Sequence, residues 1–315
     1  MTLPSKGFGV AGVPPLRAPV VLFAFNRPDL TARVFATIRA ARPSRLFVVC
    51  DGPRADRDGE AERCAEVRRI VGAVDWPCEV ERNFSDGNLG CRVRISSGID
   101  WVFSRSDEAI FLEDDTLPDA TFFRYCDELL ALYRDDDRVM MVSGYSMLAP
   151  GEATGASYWF SAHPRIWGWA AWRRSWRGYD VTMSAWPAFT ETAGWTLRTG
   201  EEQGAWGSFF QDVKDGRIDT WDAQATLLAW RTGRLSAIPA SNLVVNIGFG
   251  EGSTNTRTPA FVGPAAQPMV FPMTHPPAVA CDALLDARWV RREYGVPMGR
   301  LRGLWRAVIT RLRGP

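Results

Sequence analysis

Short apolar runs alternate with amphipathic stretches over the first half of the chain. Ala18–Phe25 (A-P-V-V-L-F-A-F) is continuously apolar, the pattern of a strand buried on both faces of a parallel sheet. Asn26-Arg27-Pro28-Asp29 follows as a turn. Asp29 is placed to cap a helix reaching about Ala41, with Leu30, Val34, Phe35 and Ile38 on one face and Pro43 beyond its end. Arg45–Cys50 predicts a second buried strand that closes on Asp51-Gly52-Pro53, followed by a polar helix from Asp58 to Val74 and a third strand over Cys78–Arg82. A loop over Asn83–Gly90 leads to a helix over Arg92–Phe103. A fourth strand, Glu108–Leu112, ends at Glu113-Asp114-Asp115; a helix over Asp119–Arg134 and a strand over Val139–Ser143 complete this half.

Such alternation predicts βαβ units with right-handed crossovers, hence an α/β fold of Rossmann-like type with a mostly parallel sheet flanked by helices. Ligands of open parallel sheets sit beyond the carboxyl ends of the strands. Three of those ends are polar here (Asn26-Arg27, Asp51-Gly52 and Glu113-Asp114-Asp115), and the topology predicts that they converge on one crevice. Past Tyr145 the texture changes to a Trp-rich stretch, Trp159 to Trp230, expected to add strands and build an acceptor side. The organisation read from this is a tail over 1–17, an α/β half over 18–145, an acceptor-side half of the same domain over 146–257, and a Pro-rich segment with a basic helix over 258–315.

Composition narrows the function. With 46% hydrophobic and 23% charged residues and a net charge of +1, the chain reads as globular, with no global electrostatic case for nucleic acid. The 6 cysteines are scattered without a C-x-x-C pair, which argues against a zinc knuckle or a disulfide scaffold and for free thiols in a reducing cytosol. Residues 1–17 lack an apolar run of signal-peptide type, and no stretch approaches the ~20 apolar residues that span a bilayer. A cytoplasmic location is the expectation. The segment Met298–Arg313 is basic and amphipathic, with Leu301, Leu304, Val308 and Leu312 on one face among arginines. It reads either as a peripheral contact with the inner face of the cell membrane or as a docked terminal helix.

The acidic triplet Glu113-Asp114-Asp115 directly follows the apolar strand Ala109–Leu112. Three carboxylates at a buried strand end repel one another and resist desolvation unless a cation offsets them, and a hard divalent ion suits oxygen ligands. Asp135-Asp136-Asp137, by contrast, follows a helix and precedes Arg138, and reads as a solvated loop.

The run Phe111 to Phe123, F-L-E-D-D-x-x-P-D-A-x-F-F, resembles the donor-site motif of GT-A glycosyltransferases. It is especially similar to the N-acetylglucosaminyltransferase family that begins complex N-glycans and to bacterial family-two-like glycosyltransferases. F-N-R-P-D-L (Phe25 to Leu30), V-V-C-D-G (Val48 to Gly52), T-W-D (Thr220 to Asp222) and I-G-F-G (Ile247 to Gly250) resemble further segments of that family, in order. The resemblance implies a GT-A fold and inverting, metal-dependent transfer from a nucleotide sugar, a UDP-sugar, with Mn²⁺ or Mg²⁺. The implied acceptor is a glycan or a lipid-linked saccharide. It implies that Asp115 ligates the metal and that Glu113 and Asp114 bind the donor's ribose and sugar. Arg27 and Asp51, with Asn26 beside them, would hold the uridine. Asn88-Leu89-Gly90 with Arg92 and Arg94 resembles the loop and helix that approach the donor. Either arginine would meet phosphate or, alternatively, stand as a solvated helix residue, and Asp51 reads equally as a turn residue.

Asp222 resembles the catalytic base, with an apolar wall from Trp221 expected to raise its pKa. Asp219 and Asp212 are rival carboxylates, and Asp219 or Asp222 could instead cap a helix over Ala223–Arg231. The chain departs from the family at Asn255, where related sequences are expected to carry His. His163 serves either the acceptor or the core. Trp159–Tyr179 is a candidate acceptor wall, with Arg165, Arg173 and Arg174 available to an anionic acceptor; the alternative is ordinary core. Two rivals stand beside the transferase. One is a nucleotidyltransferase, disfavoured because no Gly-rich run follows Phe25. The other is a degenerate, carbohydrate-binding relative.

Overall fold

The computed structural model describes residues 16–148, 151–153, 155–198, 200–249 and 263–294. Asn255 and Met298–Arg313 lie outside them. Strands β1 (Val20–Ala24), β2 (Arg45–Cys50), β3 (Glu79–Phe84) and β4 (Glu108–Glu113) alternate with helices α1 (Pro28–Ala41), α2 (Glu60–Gly72) and α3 (Gly90–Phe103). The short β5 (Thr116–Pro118), α4 (Thr121–Leu132) and β6 (Val139–Ser143) follow. The Trp-rich half contributes β7 (Tyr158–Ser161) and β8 (Trp169–Trp172), then single-turn helices α5 (Arg173–Trp176), α6 (Trp186–Phe189) and α7 (Ala193–Thr196). The longer α8 (Gly200–Lys214) and α9 (Asp222–Thr232), strands β9 (Leu235–Pro239) and β10 (Val244–Asn246), and α10 (Ala283–Tyr294) complete it.

Eight strands form one sheet in the order β3-β2-β1-β4-β8-β6-β9-β7. β3, β2, β1 and β4 are mutually parallel, and β9 is parallel to β6. β8 runs antiparallel to both β4 and β6, and β7 antiparallel to β9. The fold is therefore mixed α/β around a mostly parallel sheet, as the alternation predicts. The two reversed strands both come from the Trp-rich half, where the apolar pattern does not separate strand from core.

Alternate residues of each central strand face two cores. Val20, Leu22, Leu46, Val48, Ile110 and Leu112 pack under α1, α2 and α4. Val21, Phe23, Phe47, Val49, Ala109 and Phe111 pack under α3 and against Trp169, Trp176 and Trp221. β3 is the exposed edge; its Asn83 and Phe84 still pair with Val49 and Cys50, so it extends two residues past the expected end at Arg82. The α1 cap differs from expectation too. Arg27 is the N-cap and Pro28 enters the first turn, a position that suits a residue without an N–H, so Asp29 falls inside the helix. Helix α1 ends at Ala41 with Arg42 in the left-handed conformation, as Pro43 foreshadows.

Gly98 fixes how closely α3 lies on the sheet: a Cβ there would stand 2.6 Å from Phe23 Cε1 and 2.8 Å from Val49 Cγ1. Gly98→Val should lower stability by about 2 kcal/mol in chemical denaturation. Gly98→Ala should cost less, because about 1 kcal/mol of helix propensity offsets the clash.

Candidate functional site

The carboxyl ends of the four parallel strands meet the segments that carry polar groups. β1 and β4 are paired through Phe23 and Glu113, which brings Phe25-Asn26-Arg27 beside Asp114-Asp115. The Phe25 N–H donates to Asp114 Oδ2 (3.1 Å). Arg27 Nη2 donates to Asp114 Oδ1 and lies 3.0 Å from Asp115 Oδ2. Thr116 closes the turn: its hydroxyl accepts from the Glu113 N–H (2.8 Å) and donates to the Glu113 carbonyl (3.0 Å). β5 then pairs antiparallel with β10, and the Ile247 N–H donates to the Asp115 carbonyl (2.8 Å). That ribbon lays Gly248 over the site. A Cβ on Gly248 would collide with the Asp115 carboxylate and stand 2.9 Å from Arg27 Nη1, so only a bare backbone fits there.

Negative charge exceeds positive here. Burial, then Asp115 and Asp114, push the Glu113 carboxyl well above the usual range, and Asp222 adds to the same effect. Asp114 is raised to about 6 by burial and by Asp115, although Arg27 opposes the shift. Burial opposes the Arg27 charge, but Asp114 and Asp115 hold it firmly protonated. The ion-pair partners thus move unequally, because one guanidinium is shared between two carboxylates in a dry corner.

Asp222 opens α9, and burial raises its pKa while the Thr220 hydroxyl, donating to Oδ1, restrains the rise. Trp221 is set by a ladder of rings. Phe111 stacks on Trp169 at 4.1 Å, Trp169 on Trp221 at 5.5 Å, and the Tyr179 hydroxyl donates to the Trp221 carbonyl at 2.9 Å. Cys91, at the start of α3, feels the charges of Glu113, Asp222, Asp219 and Asp115 together. The carboxylates from β4 and from the α8–α9 segment therefore surround one space.

The rival carboxylates are otherwise engaged. Asp219 accepts the N–H groups of Cys91 (2.8 Å) and Arg92 (3.2 Å), capping α3 from a distant part of the chain, and Asp212 pairs with Arg217. Asp51 is buried and accepts from the Leu89 N–H (2.9 Å), the Gly90 N–H (3.2 Å), the Gly52 N–H (2.9 Å) and Asn88 Nδ2 (3.0 Å). The anion-seeking start of α3 is thus filled by two of the protein's own carboxylates. Arg92 Nη2 donates to the carbonyls of Val213 (2.9 Å) and Ile218 (2.5 Å), and Arg94 Nη2 to the carbonyl and side chain of Asn83. Asn26 Nδ2 donates to Glu60 Oε1 (2.8 Å); burial opposes the Glu60 charge, yet Arg54 and Asn26 hold that carboxyl at about 2. Of the arginines expected at the site, Arg27 is the one beside the acidic triplet.

In the Trp-rich half, Arg173 pairs with Asp107 and Arg174 donates to the carbonyls of Tyr133, Arg134 and Val139, so both brace the opposite end of the sheet rather than an acceptor. His163 is buried against Trp230 and Trp289, 3.1 Å from Glu202, with burial lowering its pKa; it belongs to the core. Asp136 pairs with Arg138 on the surface, as the loop reading expects.

Among the described residues no three His, Cys, Asp or Glu side chains gather as a ready-made metal cage, and no helix is long and apolar enough to cross a membrane. A hollow of about 410 Å³ between α6, α7 and α9 is lined by Phe189, Gly194 and Trp230, and none of these carboxylates reaches it.

Fold and site together define a mixed α/β protein with an acidic cluster at the strand carboxyl ends. No protein-family model matches the chain, and no curated protein sequence matches it. Solved structures resemble parts of it. A mannosyltransferase of Pyrobaculum calidifontis, PcManGT, solved with GDP-Man and Mn²⁺, is 13% identical with a TM-score of 0.36, over 52% of this chain and 48% of its own. The glycosyltransferase GlyE of Streptococcus pneumoniae TIGR4 is 13% identical with a TM-score of 0.29, over 62% of this chain and 44% of its own. A UDP-glucose pyrophosphorylase solved with UDP-glucose is 10% identical with a TM-score of 0.25, over 47% of this chain and 63% of its own. The alignments thus span about half to two thirds of those proteins.

The raised carboxyls set a pH dependence. Below about pH 4 both folded and unfolded chains hold the Asp114 proton; between there and about 6 the folded state keeps a proton that the unfolded chain releases. Stability of the metal-free protein should therefore fall as pH rises through that window. Thermal unfolding between pH 4 and 8 should show a shallower fall in Asp114→Asn than in wild type.

Proposed function

We propose that the chain is a glycosyltransferase that moves a sugar from a nucleotide donor, UDP-linked, to a saccharide or lipid-linked saccharide, with inversion and with a divalent cation. One observation carries this: Glu113, Asp114 and Asp115, with Arg27 paired to two of them, face Asp222 at the carboxyl edge of the sheet. The order of motifs shared with GT-A enzymes agrees with it.

The residues fit a hard cation such as Mn²⁺ or Mg²⁺. Asp115 is partly exposed, Gly248 leaves no side chain over its carboxylate, and the excess charge favours a cation. With no protein cage among the described residues, Asp115 would hold the ion while substrate phosphates and water complete its shell. When bound, the cation would neutralise the diphosphate as it leaves.

The chain's own residues do the rest. Arg27 orients Asp114 and Asp115 and presents its remaining donors to the donor substrate. Asp51, Asn88, Arg92 and Arg94 shape the cradle by fixing the 85–92 segment, and Asn26 fixes the 54–60 loop through Glu60. Asp222 takes the proton of the acceptor hydroxyl as that oxygen attacks the anomeric carbon. A raised pKa makes it the stronger base, and Thr220 fixes its rotamer.

Transfer or donor hydrolysis should be measured across nucleotide sugars with Mn²⁺. Asp222→Asn should lower kcat by roughly 10²- to 10⁴-fold while the variant still gains heat stability from UDP and Mn²⁺. Asp115→Ala should lose both activity and that stabilisation. In wild type the acid limb of kcat/KM should lie above the ordinary carboxylate range, because activity needs Asp222 ionised. Undiminished turnover in both variants would remove the mechanism.

A further inference from the structure

Of the tryptophans from Trp159 to Trp230, Trp167 stands out: the others are buried, and it is half-buried. Its position follows from the sheet. β6 runs parallel to β9 and antiparallel to β8, with Ser143 paired to Trp169, so Tyr145 just past the end of β6 and Trp167 just before β8 emerge together. Their rings lie 4.4 Å apart at 60°. β8 is also the neighbour of β4, with Phe111 paired to Trp169, so this pair emerges at the edge where β4 delivers Glu113-Asp114-Asp115. Phe249 closes the group from the other side, its ring 5.7 Å from Trp167 at 70°. It follows Gly248, the residue whose backbone lies on Asp115 and Arg27. Three rings from three separate segments therefore meet at the strand edge that carries the carboxylates; Tyr145 is buried, and Trp167 and Phe249 are half-buried.

We propose that Trp167 and Phe249, with the buried Tyr145 supporting Trp167 from behind, form the platform on which a pyranose ring rests, its apolar C–H face against Trp167. Aromatic faces at a polar cleft bury the C–H side of a sugar while leaving its hydroxyls to the carboxylates, which suits a neutral hexose whose ring has one apolar face. This deepens the transferase reading and rests on it only for the nucleotide half of the ligand. Tyr145 is pinned from behind by the backbone at Gly263, where a Cβ would stand 2.6 Å from its ring, so the platform is preformed on that side.

The test is saturation-transfer NMR of the full chain with methyl β-D-galactopyranoside, and separately with UDP-galactose and UDP-glucose, each with and without Mn²⁺. Wild type should saturate C3–H, C4–H and C5–H of the galactose ring most strongly, and C3–H with C5–H of the glucose ring. Trp167→Ala should weaken sugar binding by about tenfold, and Trp167→Phe by less. Heat stabilisation by UDP and Mn²⁺ should be unchanged in both variants, which reports that the fold and the carboxylate site are intact. Loss confined to the methyl glycoside places the acceptor ring on the platform; loss confined to the UDP-sugars relative to UDP places the donor ring there. Equal affinity of wild type and Trp167→Ala for every probe, or no ring-proton saturation by any of them, overturns the proposal. If UDP and Mn²⁺ do not stabilise wild type while glycoside binding still needs Trp167, the transferase reading fails and the platform stands.

Discussion

The structure turns on an imbalance of charge at the end of β4. Glu113, Asp114 and Asp115 follow the buried apolar run Ala109–Leu112 one after another, and Arg27 is the cation that reaches the triplet, touching two of its members. Buried like charges are costly, and a fold keeps them only where something else repays the cost. Here the repayment is structural as well as functional. The Phe25 N–H and the Arg27 guanidinium bind the end of β1 to the end of β4, so the tie that tolerates the carboxylates also joins the two strand ends.

A second set of carboxylates does the reverse and is consumed by the scaffold. The start of α3 offers free N–H groups and the positive end of a helix dipole, which ordinarily invites a phosphate. Asp51 from β2 and Asp219 from the segment before α9 occupy it. The consequence reaches Asp222. With Asp219 anchored on α3 and Trp221 locked into the ring ladder from Phe111 through Trp169, Thr220 between them and Asp222 directly after have little freedom. Asp222 therefore faces the β4 cluster because the residues on either side of Thr220 are fixed to other elements. Arg92 strengthens the same joint through the carbonyls of Val213 and Ile218.

Much of the parallel half was legible in the sequence because each signal there has one physical meaning. Unbroken apolar runs such as Val20–Ala24 and Leu46–Cys50 are buried on both faces, and polar residues directly after them must lie at the strand ends. The Trp-rich half resisted reading because burial there is not periodic. Trp169 and Trp172 sit in a strand, Trp176 and Trp186 in single helical turns, and all are equally buried, so nothing local separates them. The roles of Asp51, Asp219, Arg92 and Arg94 were hidden for a different reason. Their partners, up to 128 residues away, are largely backbone groups, which leave no mark in the side-chain pattern. Phe249 and Tyr145 were likewise missed as neighbours of Trp167, because their meeting depends on β8 running antiparallel between β4 and β6.

The same residue type thus serves two ends in one chain. Carboxylates that accept several N–H groups, as Asp51 does, tie separate segments together, and those bonds restrain the rise that burial imposes on the Asp51 pKa. At the end of β4 one guanidinium serves a cluster of carboxylates, and burial followed by the neighbouring acidic groups raises Glu113 and Asp114. A ligand that brings positive charge to that corner gains the interaction the fold has withheld, and by linkage returns it as stability to the folded state. Uncompensated negative charge and a local cost to stability are then one property, located where β1 and β4 meet.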